Sequence, residues 1–128
     1  MSMITSQYLT AGDESLERWR VSGREASIVA WSNLVGSLGR DELHGAGVDE
    51  AVVVPASDTI ELVIGSTCDW SSVADGVVAL QEVGWSVTVL TALHSLGAAH
   101  HVLAGTDVHL QGCWRNDTGW SFTPAEIA

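Results

Sequence analysis

The chain reads as a small α/β fold, one domain over residues 1–128, with a mixed sheet built around a βαβαβ core at about 59–111. Three observations predict it. Between residues 59 and 111, short apolar or β-branched runs alternate with segments of helical spacing, and a glycine ends each helical segment. A capping box in the first quarter of the chain precedes an apolar stripe and predicts an N-terminal packing helix. Near the end, Asn116-Asp117-Thr118-Gly119 separates two extended runs and predicts a C-terminal β-hairpin.

Residues 3–9 suggest a short extended arm, and 13–20 a short amphipathic helical turn carrying Leu16 and Trp19. In Ser22-Gly23-Arg24-Glu25 the serine hydroxyl can take the amide three residues on, while the glutamate reaches back to the cap. The predicted helix runs from there to about residue 38, because Ile28, Trp31, Val35 and Leu38 fall on one stripe that Leu34 widens, and Gly39 supplies a left-handed stop. The polar stretch 40–50, with Gly45 and Gly47, reads as a loop.

Residues 51–54 and 60–64 are apolar runs on either side of Pro55-Ala56-Ser57-Asp58, the pattern of a hairpin. Asp69 or Ser72 can cap the next helix, over 69–83, whose core face is Val73, Val77 and Leu80 before Gly84 stops it. Residues 86–90 suit a central strand, since both faces tolerate burial. Residues 96–103 are helical again up to Gly105. Beyond them Asp107, His109, Gln111, Cys113 and Arg115 alternate with Val108, Leu110, Gly112 and Trp114, so the last long strand has one polar face. Pro124 ends the returning arm and leaves a short tail.

Composition narrows the function classes. Sixteen carboxylates face five arginines and no lysine, for a formal charge of -11. Such an acidic surface repels phosphate backbones and anionic lipid, so neither nucleic acid nor membrane is an expected partner. No apolar run approaches the roughly 18 residues a membrane span needs, and the first residues lack a secretion-signal pattern. A cytoplasmic location is expected, with Cys68 and Cys113 as free thiols.

In open sheets with parallel strands, ligands gather beyond the carboxyl ends of the strands. Two turns are then candidates. The first holds Ser66, Thr67 and Cys68 next to a helix N-terminus, where free amides favour an anion, although Asp69 opposes one and capping alone explains these residue types. The second holds His94. A thiol near a helix N-terminus can have a lowered pKa, so Cys68 with His94 as base is the candidate nucleophile pair. His94, His100, His101, His109 and Cys113 lack the spacing of a zinc site, and neither a metal nor a cofactor is predicted.

Asp117-Thr118-Gly119 matches the active-site triplet of aspartic proteases, but Arg115-Asn116 precedes it where that family has an apolar strand. A tight turn with glycine in the left-handed position accounts for the triplet.

Six tryptophans stand beside one tyrosine and one phenylalanine, more than the interior of so small a domain readily holds. Trp31 and Trp85 fit the core. Trp114 and Trp120, in the terminal hairpin, are candidate cross-strand neighbours forming an aromatic ledge and an interaction surface. The favoured reading is therefore a non-enzymatic interaction or ligand-binding module that self-associates as a homodimer, with a protein partner or small ligand. The alternative is a small enzyme or anion-binding domain using Ser66, Thr67, Cys68 and His94.

Overall fold

A computed structural model of the chain describes residues 11–30, 48, 50–64 and 68–128. Helix α1 (Ala11–Val21) leads into strands β1 (Ser27–Ala30), β2 (Glu50–Val54) and β3 (Thr59–Ile64). Helix α2 (Trp70–Glu82), strand β4 (Ser86–Ala92), helix α3 (Leu96–Leu103) and strand β5 (His109–Asn116) follow. The chain ends with β6 (Gly119–Phe122) and β7 (Glu126–Ile127). In space the strands run β1-β2-β3-β4-β5-β6, with β7 also paired to β5. The β3–β4 and β4–β5 pairings are parallel, and all the others antiparallel. This is an α/β fold on a mixed sheet.

Local chemistry fixes each reversal. Between β2 and β3, Pro55 opens a 3-10 turn and Asp58 takes a left-handed φ of 49°, which sets Val54 opposite Thr59. Asp69 caps α2, accepting from the amides of Ser71 (3.1 Å) and Ser72 (3.5 Å). The helix stops at Gly84 (φ 110°), where Gly84 N–H donates to Gln81 and Trp85 N–H to Leu80, the paired bonds of a Schellman motif. The Gln81 amide then donates to the Thr106 carbonyl at 2.6 Å, tying the end of α2 to the turn after α3.

The predicted helix from Ser22 is overturned. Ser22 and Gly23 instead terminate α1: Gly23 N–H donates to Arg20, Arg24 N–H to Trp19, and Gly23 has a φ of 75°. The serine hydroxyl donates to the Trp19 carbonyl at 2.7 Å rather than accepting from a following turn. A Ser-Gly pair serves a helix start or a helix stop, and the helix already running from Ala11 makes it a stop. Ile28 consequently lies in β1, whose residues pair with β2 from Ser27↔Val53 to Ala30↔Glu50. The rest of the expected stripe, at 31, 34, 35 and 38, lies outside the described residues.

The chain after Pro124 also departs from expectation by returning to the sheet as β7, opposite His109 and Leu110. Thr123 bridges the break at the proline. Its hydroxyl accepts from Gly112 N–H, its own N–H donates to the Gly112 carbonyl, and its carbonyl accepts from the Gln111 side chain.

The two faces of the sheet are packed differently. On one, Ile60, Leu62, Ile64, Val87, Val89 and Leu110 meet Val73, Val77 and Leu80 of α2 and Ala99 and Leu103 of α3 in a continuous apolar core. Each of the Val, Leu and Ile side chains, taken from water to full burial, contributes roughly 1.5–3 kcal/mol. Trp70 and Trp85 pack at its margin. On the other face α1 crosses β2 and β3, where Trp19 joins Val52 and Val54, while Val63, Leu90 and Cys113 form a separate patch against Trp120 and Phe122. No helix among the described residues is long and apolar enough to cross a membrane.

Candidate functional site

The α1 face holds a buried ion pair. Glu61 interrupts the apolar run of β3 and is fully buried there. Arg18 descends from α1 to pair with it, leaving Glu61 Oε2 and Arg18 Nε without a partner. Burial, with the like charge of Arg24 nearby, lowers the Arg18 guanidinium to about 10, so it stays charged at neutral pH. Arg18 and Arg24 both approach the Trp19 ring, at 4.2 and 5.2 Å from its centroid. The start of α1 is anchored as well, since Gly12 N–H donates to the Glu50 carboxylate at 2.8 Å, favourable at a helix N-terminus.

Among the described residues α1 is the one helix on this face, and it does not cover all of it. Beside α1, towards the β5–β6 hairpin, lies a cleft of about 330 Å3. Val63 and Ile64 at the end of β3 and Ala92, Leu93 and His94 after β4 form one side, and Cys113 to Arg115 with Trp120 form the other. Glu14 closes it from α1. The cleft thus opens at the carboxyl ends of the parallel strands β3 and β4, where the 3-10 turn Leu93–Ser95 carries the chain away from the sheet.

Three groups set its electrostatics. The Cys113 thiol donates to Glu14 Oε2 at 3.2 Å. Burial pushes the Glu14 carboxyl up, with Asp13 adding to the rise, while the Cys113 hydrogen bond and the Arg115 charge oppose it. Burial also raises the Cys113 thiol, and the adjacent Glu14 raises it further, so it is a protonated hydrogen-bond donor rather than a thiolate. Arg115, exposed on β5, lies over the Trp120 ring at 5.4 Å and has no ion pair among the described residues.

The residues singled out in the sequence are dispersed. His94 lines the cleft, whereas Cys68 packs against the apolar core under α2 and α3. The helix N-terminus does not activate Cys68: burial, then the Asp69 carboxylate, push its thiol up. No hydrogen bond joins Cys68 to His94 among the described residues. Ser66 and Thr67 lie outside them. Trp114 and Trp120 do not form one ledge, because the register sets Trp120 opposite Arg115 and Trp114 opposite Ser121, on opposite faces of the hairpin. Both border the cleft, and Trp114 is 40% exposed.

His100 meets Glu126 of β7 at 3.4 Å. Among the described residues no three His, Cys, Asp or Glu side chains converge as metal ligands would.

Sequence reasoning did not select Glu14, Arg18, Glu61, Cys113 or Arg115 as a group. A lone glutamate inside an apolar strand was a legible signal of a buried partner. The Glu14–Cys113 contact spans 99 positions and had none.

The cleft has predominantly apolar walls with a carboxyl, a thiol, an imidazole and a guanidinium at its margin, a composition suited to binding. Its thiol, raised by burial, is a poor nucleophile. No protein-family model, no curated protein and no solved structure matches the chain.

Proposed function

We propose that the chain is a non-enzymatic module that binds a small organic molecule in the cleft beside α1. One observation carries the reading: an apolar cleft with a few convergent polar groups stands at the carboxyl ends of parallel strands, where such sheets hold ligands. Its volume of about 330 Å3 is at the small end of ligand sites. A cytoplasmic location fits the two free cysteines, and the charge of -11 disfavours nucleic acid as a partner.

The test is a thermal-shift and tryptophan-fluorescence screen of small molecules against the full chain and against Ala92→Trp, which fills the cleft. A ligand that stabilises the first and not the second supports the reading. Equal effects on both, or no ligand in a broad screen, would remove it.

Trp114, exposed at the rim beside the exposed Leu93, favours a second reading, self-association as a homodimer. Sedimentation of the chain and of Trp114→Ser decides it: a dimer that the substitution dissociates is expected. The enzymatic alternative at Ser66, Thr67, Cys68 and His94 has less support, since burial makes Cys68 a poorer nucleophile.

A further inference from the structure

We infer that the ligand of this cleft is a zwitterion, a free α-amino acid with an apolar side chain, its carboxylate on Arg115 and its ammonium on Glu14. The inference rests on the ligand-binding reading above and adds the chemical class.

The cleft is lined by one guanidinium, Arg115, and one carboxylate, Glu14, with the His94 imidazole also at its margin. Arg115 and Glu14 are close enough for the guanidinium to favour the ionised carboxyl, yet they make no ion pair among the described residues. A ligand charge of either sign alone meets one attraction and one repulsion. An anion gains Arg115 but faces Glu14 and Asp13, and the overall charge of -11 opposes its approach. A cation gains Glu14 but faces Arg115. A ligand with both charges a few bonds apart satisfies both groups, and as a net-neutral molecule it escapes the long-range repulsion.

Each group is prepared for its partner. The Arg115 Cζ lies 5.4 Å from the Trp120 ring centroid, and a guanidinium so placed beside the cleft can take a carboxylate through two N–H groups. Glu14 is engaged through Oε2 by a thiol, a weak donor, and its partial burial makes an incoming ammonium a stronger partner than water. The apolar side chain of the ligand then lies on Val63 and Leu93. A cleft of about 330 Å3 suits one amino acid better than a peptide.

Calorimetric titration of the full chain separates the cases, with leucine and phenylalanine each compared with their N-acetyl, amide and doubly blocked forms. The free amino acid should bind at least about tenfold more tightly than any blocked form, the worth of one charged hydrogen-bonded pair. In Arg115→Gln the advantage over the amide should vanish, and in Glu14→Gln the advantage over the N-acetyl form. Glu14→Gln keeps the side chain's size, Arg115→Gln shortens it but keeps it polar, and circular dichroism checks the folding of both.

A blocked form that binds as tightly as the free amino acid overturns the inference while leaving the cleft as a ligand site. If no member of either series binds, the amino-acid class is excluded, and the library screen with Ala92→Trp decides the ligand-binding reading independently.

Discussion

The same strands present two unlike faces. Under α2 and α3, Ile60, Leu62 and Ile64 of β3 meet an apolar layer from two helices. Under α1, Glu61 and Val63 of that strand meet a charged helix and an open cleft. Alternation along β3 thus assigns one set of side chains to cohesion and the other to polar contacts. Among the described residues two helices pack on one face of this sheet and one on the other, where Cys113, Arg115 and Trp120 border the cleft beside α1.

The largest effect should come from the buried ion pair. Arg18→Ala leaves the Glu61 carboxylate buried without its partner and should cost about 3–5 kcal/mol in urea denaturation. Arg18→Met combined with Glu61→Leu should recover most of that loss or exceed wild type, as apolar replacement of buried pairs often does. A double variant no more stable than the single one would break the comparison, since the α1 face would then tolerate no apolar packing.

A smaller effect is expected where α1 touches down. A Cβ at Gly12 would come within 2.9 Å of Ile28 Cδ1 and collide with the Glu50 carboxylate that accepts the Gly12 amide. Gly12→Val should therefore lower stability by about 1–3 kcal/mol, an overpacking cost. An unchanged melting temperature would mean that α1 is not held at this point.

The smallest effect is a pH dependence. Because the folded state raises the Glu14 pKa above 4.5, the contribution of this group is fully present below that value and is lost as pH rises through the folded pKa. Glu14→Gln abolishes this loss. Its stability relative to wild type should grow as pH rises from about 4.5, measured by urea denaturation at a series of pH values. A constant difference across that range would show that Glu14 is not desolvated.

Much of the sheet was legible because its signals are local. Asp69 caps α2, Gly84 and Gly105 (φ 110° and 84°) end the two helices, and the alternation after Asp107 assigns Val108 and Leu110 to the core and His109 to the opposite face. Ser22-Gly23 is locally ambiguous between a helix start and a helix stop, and only the contacts of Trp19 and Arg20 with the following amides resolve it. The cleft was half legible. His94 was marked by its place after a strand, but its companions come from α1 and from the last hairpin. Trp114 and Trp120 were selected by composition, and the one-residue offset in strand register sends them to opposite faces.

By itself the sequence determined the periodicities, the caps and stops of α2, the acidic charge of -11 and the α/β class, because each depends on residues within a few positions of one another. The tertiary structure alone decided that α1 covers β2 and β3, that Arg18 meets Glu61, and that Glu14 reaches Cys113 beside Arg115 and Trp120. Those contacts join residues as many as 99 positions apart, brought together by the packing of α1 and the last hairpin on the sheet, which no local pattern encodes.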